Sequence, residues 1–272
     1  MSILREMLSY AFLTRALIVG VLVSLCSALL GVPLVLKRYS MIGDGLSHVG
    51  FGALAVAAAA NAAPLAVAIP VVVAAAFLLL RLSSTGRIKG DAAIAVISTG
   101  ALAAGVIVIS LSTGMNTETG NYLFGSILAM SDSDVRLSLG ITAAVLLLFV
   151  IFYNYIFAVT FDETFARATG TRAGACNALL SLLTALTVVV GMRMMGALLI
   201  SGLVIFPALS AMRLCRQFRH VIICASVLSV LCFVAGTVIS YAMAIPTGAS
   251  VVCMNILVLL GCCGIGRLKE HR

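Results

Sequence analysis

The chain has 272 residues, of which 62% are hydrophobic and 10% charged, and its formal net charge is +8. Soluble globular domains are roughly half apolar and a quarter charged, so a soluble enzyme with a loop-borne active site is excluded. No polar stretch is long enough to build a second domain, and residues 1–272 read as one membrane-embedded unit.

A spanning helix needs about 20 predominantly apolar residues, within a range of roughly 17 to 25. The first apolar block, 12–36, comes after Arg5 and Glu6 and contains Arg15. No small-residue cleavage site precedes it, so it is expected to be a retained span and not a cleaved signal. Blocks 41–60 and 65–80 are shorter and interrupted by Gly, Pro or a polar residue, while 92–112 and 138–158 are long enough to cross. The intervening segment 113–137 carries Glu118, Asp132 and Asp134 against Arg136 alone. A polar stretch at 160–171 precedes a block at 175–191; a short block at 196–210 and two longer ones at 221–244 and 250–266 complete the chain. The expectation is an all-α, polytopic membrane helix bundle of eight or nine spans, with nine as the working number.

Thirteen of the 17 Lys and Arg residues fall in five clusters: Lys37/Arg38, Arg81/Arg87/Lys89, Arg167/Arg172, Arg213/Arg216/Arg219 and Arg267/Lys269/Arg272. Nine spans place all five on one side, which the positive-inside rule makes cytoplasmic. The same count puts the N-terminus and its arginines outside, a conflict that an interfacial start or one fewer span would remove. The positive charge thus reflects topology and anionic lipid headgroups, not nucleic acid. Trp is absent, so an aromatic belt must be built from Tyr and Phe. The eight cysteines lie in or beside apolar blocks, apart from Cys215 in a loop, and show no C-x-x-C pair. They read as small buried hydrophobes.

Phosphate-loop, nucleophile-elbow and H-E-x-x-H patterns are absent, so the chain supplies neither ATP hydrolysis nor a common hydrolase site. An ionisable side chain inside a span costs about 2.5 to 3.5 kcal/mol on insertion scales and is a functional candidate by default. Asp44 and His48 are such a pair, four residues apart and therefore neighbours on one helix face. Ser40 is expected to cap that helix. Gly52 continues the stripe, and Gly43, Gly45 and Gly50 thin the surface so that another helix or a second copy can approach. A carboxylate and an imidazole together suit zinc or manganese, although a buried Asp–His pair can also simply fix helix packing.

The segment 160–171 reads as a short amphipathic helix in a cytoplasmic loop. Phe161, Phe165 and Ala168 share one face, Glu163 pairs with Arg167, and Gly170 is a stop signal. Such a helix fits either a groove on a partner or an ordinary connector. Among the remaining polar residues, Asp91 reads as a cap, and Asn121, Asn154, Asn177 and Asn255 as interhelical hydrogen-bonding groups. Arg193, amid Met192, Met194 and Met195, reads as a short outer-loop residue, with the methionines as gap fillers more than Cu(I) ligands. Pro207 kinks its helix and frees a carbonyl, which places 196–210, with Gly196 at its start, along a pathway.

Six stretches resemble, in order, the permease subunit of the manganese/zinc/iron-chelate family of ATP-binding-cassette importers, and its zinc branch most. They are Met41–His48, Asp91–Ile94, Asn121–Leu128, Phe161–Gly170, Met195–Ala208 and Pro246–Gly248. Ala249 departs from the pattern, since members commonly have proline there. The resemblance implies a multi-pass protein of the bacterial cytoplasmic (inner) membrane that imports a divalent metal and is not itself an enzyme. It implies a second permease copy or a paralogue, two copies of a separate cytoplasmic ATPase, and an extracytoplasmic metal-binding protein. It implies that Asp44 and His48 hold zinc or manganese in transit, as substrate and not as a resident cofactor. It also implies that Phe161, Asp162, Glu163, Phe165, Ala166 and Gly170 belong to a coupling helix seated in the ATPase, with Gly45, Gly52, Gly196 and Pro207 serving packing or the pathway. A metal-chelate or siderophore permease and a secondary metal transporter are the alternatives. Because protons compete with metal for imidazole, uptake should fall as the pH drops through the histidine range. Flat uptake between about pH 7.5 and 5.5, with hydrolysis intact, would remove His48 from the path.

Overall fold

The computed structural model describes residues 10–84, 90–112 and 132–270, and every regular element among them is helical. In chain order these are α1 (Ala11–Leu36), α2 (Ile42–Ala59), α3 (Pro64–Ser84), α4 (Gly90–Leu111), α5 (Asp132–Ile151), α6 (Tyr153–Phe161), α7 (Glu163–Ala168), α8 (Ala173–Met195), α9 (Ala197–Leu214), α10 (Phe218–Met243) and α11 (Thr247–Glu270). Arg5, Arg87, Lys89, Glu118, Asn121–Leu128 and His271 lie outside the described residues.

Eight of these helices, α1 to α5 with α8, α10 and α11, are long and apolar enough to cross a membrane. The ninth, α9, has a shorter apolar stretch, Leu199–Leu214. Its 18 residues still reach about 27 Å at 1.5 Å per residue, close to the hydrocarbon thickness. Counting α9 as a crossing keeps the five basic clusters on one face; removing it would send the last two to the opposite side. The block 138–158, a single span by sequence, is divided. Helix α5 starts six residues earlier than the apolar block, at Asp132, and ends at Ile151, so the rest folds separately as α6.

The bundle has a centre and a rim. In the spans of α1, α2 and α8, 61–72% of residues are buried, against 22–39% in α3, α4, α5, α10 and α11. The most buried span, α2, is also the least apolar. In lipid there is no hydrophobic drive between helices, so close contact of small residues and satisfied polar groups must hold the centre. Rim helices instead turn Leu147, Val150, Ile107, Leu257 and Leu260 outward, as a lipid-facing surface requires. Interior hydroxyls bond back to their own helices, as in Thr184 to the Leu180 carbonyl and Thr187 to the Leu183 carbonyl. Ser229 instead donates across from α10 to the Ser24 carbonyl of α1 at 2.9 Å. All eight cysteines are free thiols; Cys26, Cys232 and Cys262 are buried, whereas Cys253 is exposed.

Glycine makes two of the approaches possible. A Cβ at Gly52 would stand 2.6 Å from the Ala101 carbonyl oxygen of α4, and one at Gly45 would meet the Ile94 side chain at 2.5 Å. The partner of Gly45 and Gly52 is therefore α4 of the same chain. At Gly196, φ is +87°, which lets one residue end α8 and begin α9. Pro207 is accommodated inside α9 and is buried.

The structure corrects three expectations. The residue preceding α2 is Met41, with no side-chain capping bond, so Ser40 does not cap it. Asp91 lies inside the first turn of α4, one residue after its start. Arg193 is no loop residue: it occupies the last turn of α8, largely buried, and pairs with Asp134 of α5 at 3.9 Å. Met192 and Met195 fill space beside Gly50 and Gly20, in keeping with a packing role.

Gly52→Val should destabilise the protein by roughly 1–3 kcal/mol through overpacking. Gly140→Ala, where an added Cβ meets nothing within 4 Å, should be neutral or stabilising by up to about 1 kcal/mol. Thermal unfolding of both variants in detergent checks the contrast.

Candidate functional site

Two groups of residues carry chemistry, one in α2 and one around α7. Asp44 lies in the first turn of α2 and His48 one turn later. With a rise of 1.5 Å per residue, both fall within about 9 Å of the end of α2 nearest the Lys37/Arg38 cluster. The carboxylate sits at the positive end of the helix dipole, where a negative charge is favoured. Glycines on the other sides of α2 pack it against α4, α8 and α9, whose Ile94, Met192 and Val204 lie beside Gly45, Gly50 and Gly43. The Asp44/His48 side remains partly open: the Asp44 side chain is 38% exposed and that of His48 28%. Met41 and Val56 flank them and are also exposed.

The His48 Nε2 atom lies 3.6 Å from Asp44 Oδ2, beyond ordinary hydrogen-bond length. Its Nδ1 atom is buried without a hydrogen-bond partner. The two side chains are thus within ion-pair distance, while the second ring nitrogen has no hydrogen-bond partner. Among the described residues no three His, Cys, Asp or Glu side chains gather into a metal-binding group. One chain therefore brings two donors to this place.

At the other site, the chain leaves α6 at Phe161 and turns through Asp162, whose backbone is extended (φ −146°, ψ 97°). Asp162 caps α7: its Oδ1 accepts from the Phe165 N–H at 2.8 Å. Glu163 and Arg167 pair across one turn, as their spacing indicates. Gly170, at φ +86°, stops the helix, and the Thr171 N–H closes back onto the Ala166 carbonyl at 2.9 Å.

The short helix begins two residues later than Phe161, where the sequence pattern starts it, and this changes its faces. Phe161 belongs to α6 and packs edge-on to Phe218 of α10, with Phe157 alongside, so it does not share a helical face with Phe165. Ala166 faces inward, buried with Val159 and Ala173 in a small cluster separate from the main core. Phe165 points out and is 65% exposed.

One part-buried polar contact is missed by sequence reasoning. Lys37, which by sequence is only a topology charge, has an 11% exposed side chain and sits 3.5 Å from Glu163 Oε2. It also donates to Asn177 Oδ1, and Asn177 Nδ2 donates to the same Glu163 oxygen at 3.1 Å. Burial pulls the Lys37 ammonium below its ordinary pKa, against the opposing pull of Glu163. Burial acts to raise Glu163, but Asn177, Lys37 and Arg167 together outweigh it and hold the carboxyl below its ordinary value of 4.5. A lowered carboxyl pKa means that the tie is present at neutral pH and is lost only as the pH falls through that lowered value. Of the other asparagines expected to bond between helices, Asn255 bonds the Val251 carbonyl of its own helix and Asn154 is exposed, whereas Asn177 links helices.

Comparison with known proteins decides the family. Residues 9–264 match the model of the ABC 3 transport family. The chain belongs to this family. It is similar to the manganese transport system membrane protein MntC of Halalkalibacterium halodurans, with 30% identity over 247 residues, 91% of this chain and 85% of the relative. It is similar to the high-affinity zinc uptake system membrane protein ZnuB of Haemophilus influenzae, with 29% identity over 253 residues, 92% of this chain and 97% of the relative. The solved structure of PsaBC from Streptococcus pneumoniae in complex with Fab matches with a TM-score of 0.85 and 29% identity, covering 96% of this chain and 94% of the matched chain. The family membership and the helical permease fold expected from the sequence are both shown. The preference for the zinc branch is not: relatives named for manganese and for zinc match at near-equal identity.

Removing the α7 cap by Asp162→Ala should cost about 1 kcal/mol locally. Faster amide hydrogen exchange across 163–168, with the spans unchanged, is the expected signature.

Proposed function

We propose that this chain is the membrane permease of an ATP-driven importer that carries a divalent transition metal, zinc or manganese, into the cytoplasm across the bacterial inner membrane. The observation that carries the reading is the partly open Asp44/His48 pair inside a membrane span, with one ring nitrogen buried and unpartnered. Lipid is a poor neighbour for such groups, so this side of α2 faces a water-filled path or another protein surface. A second permease copy, identical or paralogous, would cover it and bring the donor set to two carboxylates and two imidazoles. Four such ligands satisfy zinc, and the oxygen donors also suit manganese.

The metal is cargo, so its site must bind well enough to collect the ion and weakly enough to release it. The family relationship supports the division of labour in which a separate ATPase, in two copies, hydrolyses ATP, and an extracytoplasmic binding protein delivers the ion. In this chain α7 is the element that meets the ATPase. Phe165 supplies an apolar plug for a groove, while Ala166, Asp162 and Gly170 anchor, cap and stop the helix that presents it. Phe161 steadies the end of α6 through Phe218.

Uptake of radiolabelled zinc and manganese by the assembled importer tests the site. Asp44→Ala and His48→Ala should each reduce transport of one of these metals at least tenfold while the ATPase still co-purifies, and that metal is the cargo. Wild-type uptake in both variants would make the pair structural. Phe165→Asp should lose ATPase co-purification while the protein still inserts into the membrane. Retained co-purification with uptake in the absence of any ATPase would favour a secondary transporter.

A further inference from the structure

We propose that Lys37, Glu163 and Asn177 form a latch through which movement of α7 reaches the helix bearing Asp44 and His48, with Lys37 as its positioning residue. The inference rests on the importer reading and adds to it the route by which the ATPase-facing helix acts on the metal site.

The latch joins three parts of the chain that are far apart in sequence. Lys37 is the first residue after α1, Glu163 is the first residue of α7, and Asn177 lies in the second turn of α8. The three polar groups close a triangle: ammonium to carboxylate at 3.5 Å, amide N–H to the same carboxylate oxygen at 3.1 Å, and ammonium to amide oxygen. The other carboxylate oxygen takes Arg167 of the same short helix. A displacement of α7 therefore draws directly on Lys37.

The turn after Lys37 is too tight to absorb such a displacement. Only residues 38–41 separate Lys37 from α2. Arg38 adopts the left-handed conformation, at φ +62°. The Tyr39 N–H bonds back to the Leu34 carbonyl at 2.9 Å, and the Ile42 N–H bonds to the Tyr39 carbonyl at 3.1 Å. This hydrogen-bonded turn ties the end of α1 to the start of α2, and Asp44 lies in the first turn of that helix. Beside it is a cleft of about 30 Å³ lined in part by Lys37, Asn177, Leu34, Tyr39, Ile42 and Ile94. That is space for roughly two waters, so the first turn of α2 has room to shift on this side.

The latch can be cut without unmaking the helices it joins. In Lys37→Met, Glu163 keeps Arg167 and Asn177, and α7 keeps its Asp162 cap and its Ala166 anchor. A role confined to stability would therefore show as general loosening, whereas a latch shows as a lost response at a distance.

The experiment uses the permease assembled with its ATPase in lipid nanodiscs and measures amide hydrogen exchange with and without a non-hydrolysable ATP analogue. In parallel, proteoliposomes give metal delivered per ATP hydrolysed. In the wild type, assembly should protect α7, and nucleotide should alter exchange across Ile42–Gly50. In Lys37→Met and in Glu163→Gln, α7 should stay protected while the response at Ile42–Gly50 disappears, and metal delivered per ATP should fall about fivefold or more. The double variant should be no worse than either single one, because both cut the same link. Lys37→Arg, which keeps a donor and a charge, should restore the response. A wild-type response of Ile42–Gly50 in Lys37→Met overturns the latch, as does loss of α7 protection in that variant or multiplicative loss in the double variant. Absence of α7 protection in the wild type would instead sink the importer reading itself.

Discussion

Everything in this bundle answers to one constraint: inside a bilayer a polar group finds a partner in the protein or goes without. The hydroxyls of Thr184 and Thr187 comply by bonding to their own helices, and Ser229 complies by reaching α1. Asn255 does the same with the Val251 carbonyl. Others go without: the Ser27, Ser210 and Ser226 hydroxyls are buried and unbonded, and so is His48 Nδ1, whose ring partner Nε2 lies 3.6 Å from Asp44 Oδ2. The packing around His48 explains how such a ring is held. Glycines let α2 settle against α4, α8 and α9, and the neighbouring helices bury most of its surface, so close packing on three sides holds its orientation. On the proposed reading, this leaves both side chains to the cargo.

The opposite requirement governs the end of the bundle that bears α7. A helix of six residues is far below the length at which a helix stands alone in water, so α7 exists because its ends are tied. Asp162 supplies one end, the Gly170 turn the other, and Ala166 fixes the underside against Val159 and Ala173. Phe165 is consequently presented on a rigid support, which lowers the entropic cost of docking. The same rigidity makes the Glu163 contact with Lys37 informative. An isolated exposed ion pair contributes little, but this one is braced by Asn177 and has its lysine almost entirely buried.

Much of this is legible in the sequence because it depends on local spacing. Most of the spans, the i, i+4 relation of Asp44 to His48, the Glu163–Arg167 pair and the Gly170 stop all derive from helix period or turn chemistry, and the structure contains them, although block 138–158 is split between α5 and α6. The errors occur where a boundary or a distant contact decides. Asp162 as the cap of α7 transfers Phe161 to the preceding helix, a two-residue shift that removes it from the face of Phe165. Arg193 resembles a loop residue in sequence because only Gly196, with its positive φ, separates α8 from α9. Lys37 carries no local sign of its role, since its partners lie 126 and 140 residues away. Its one available hint is position: a lysine immediately after a span can either snorkel to the interface or turn back to a partner, and pattern alone does not choose.

The incomplete donor set is itself a functional argument. A chain that gathered four ligands would hold zinc firmly, as closed structural sites do, and would make a poor carrier. If Asp44 and His48 hold the ion as proposed, two donors per chain make a full set only while two copies face each other, and any motion that parts them would halve its coordination. Affinity then becomes a property of the assembly's conformation, which an ATPase can change, and not of fixed side-chain chemistry. Placing Asp44 and His48 near the start of α2, close to the turn tied to α7, puts the donors where such a motion would be felt first. On the proposed reading, the Asp44/His48 pair, the tight turn and the braced ion pair thus belong to one requirement: a metal site weak enough to empty must be governed from outside itself.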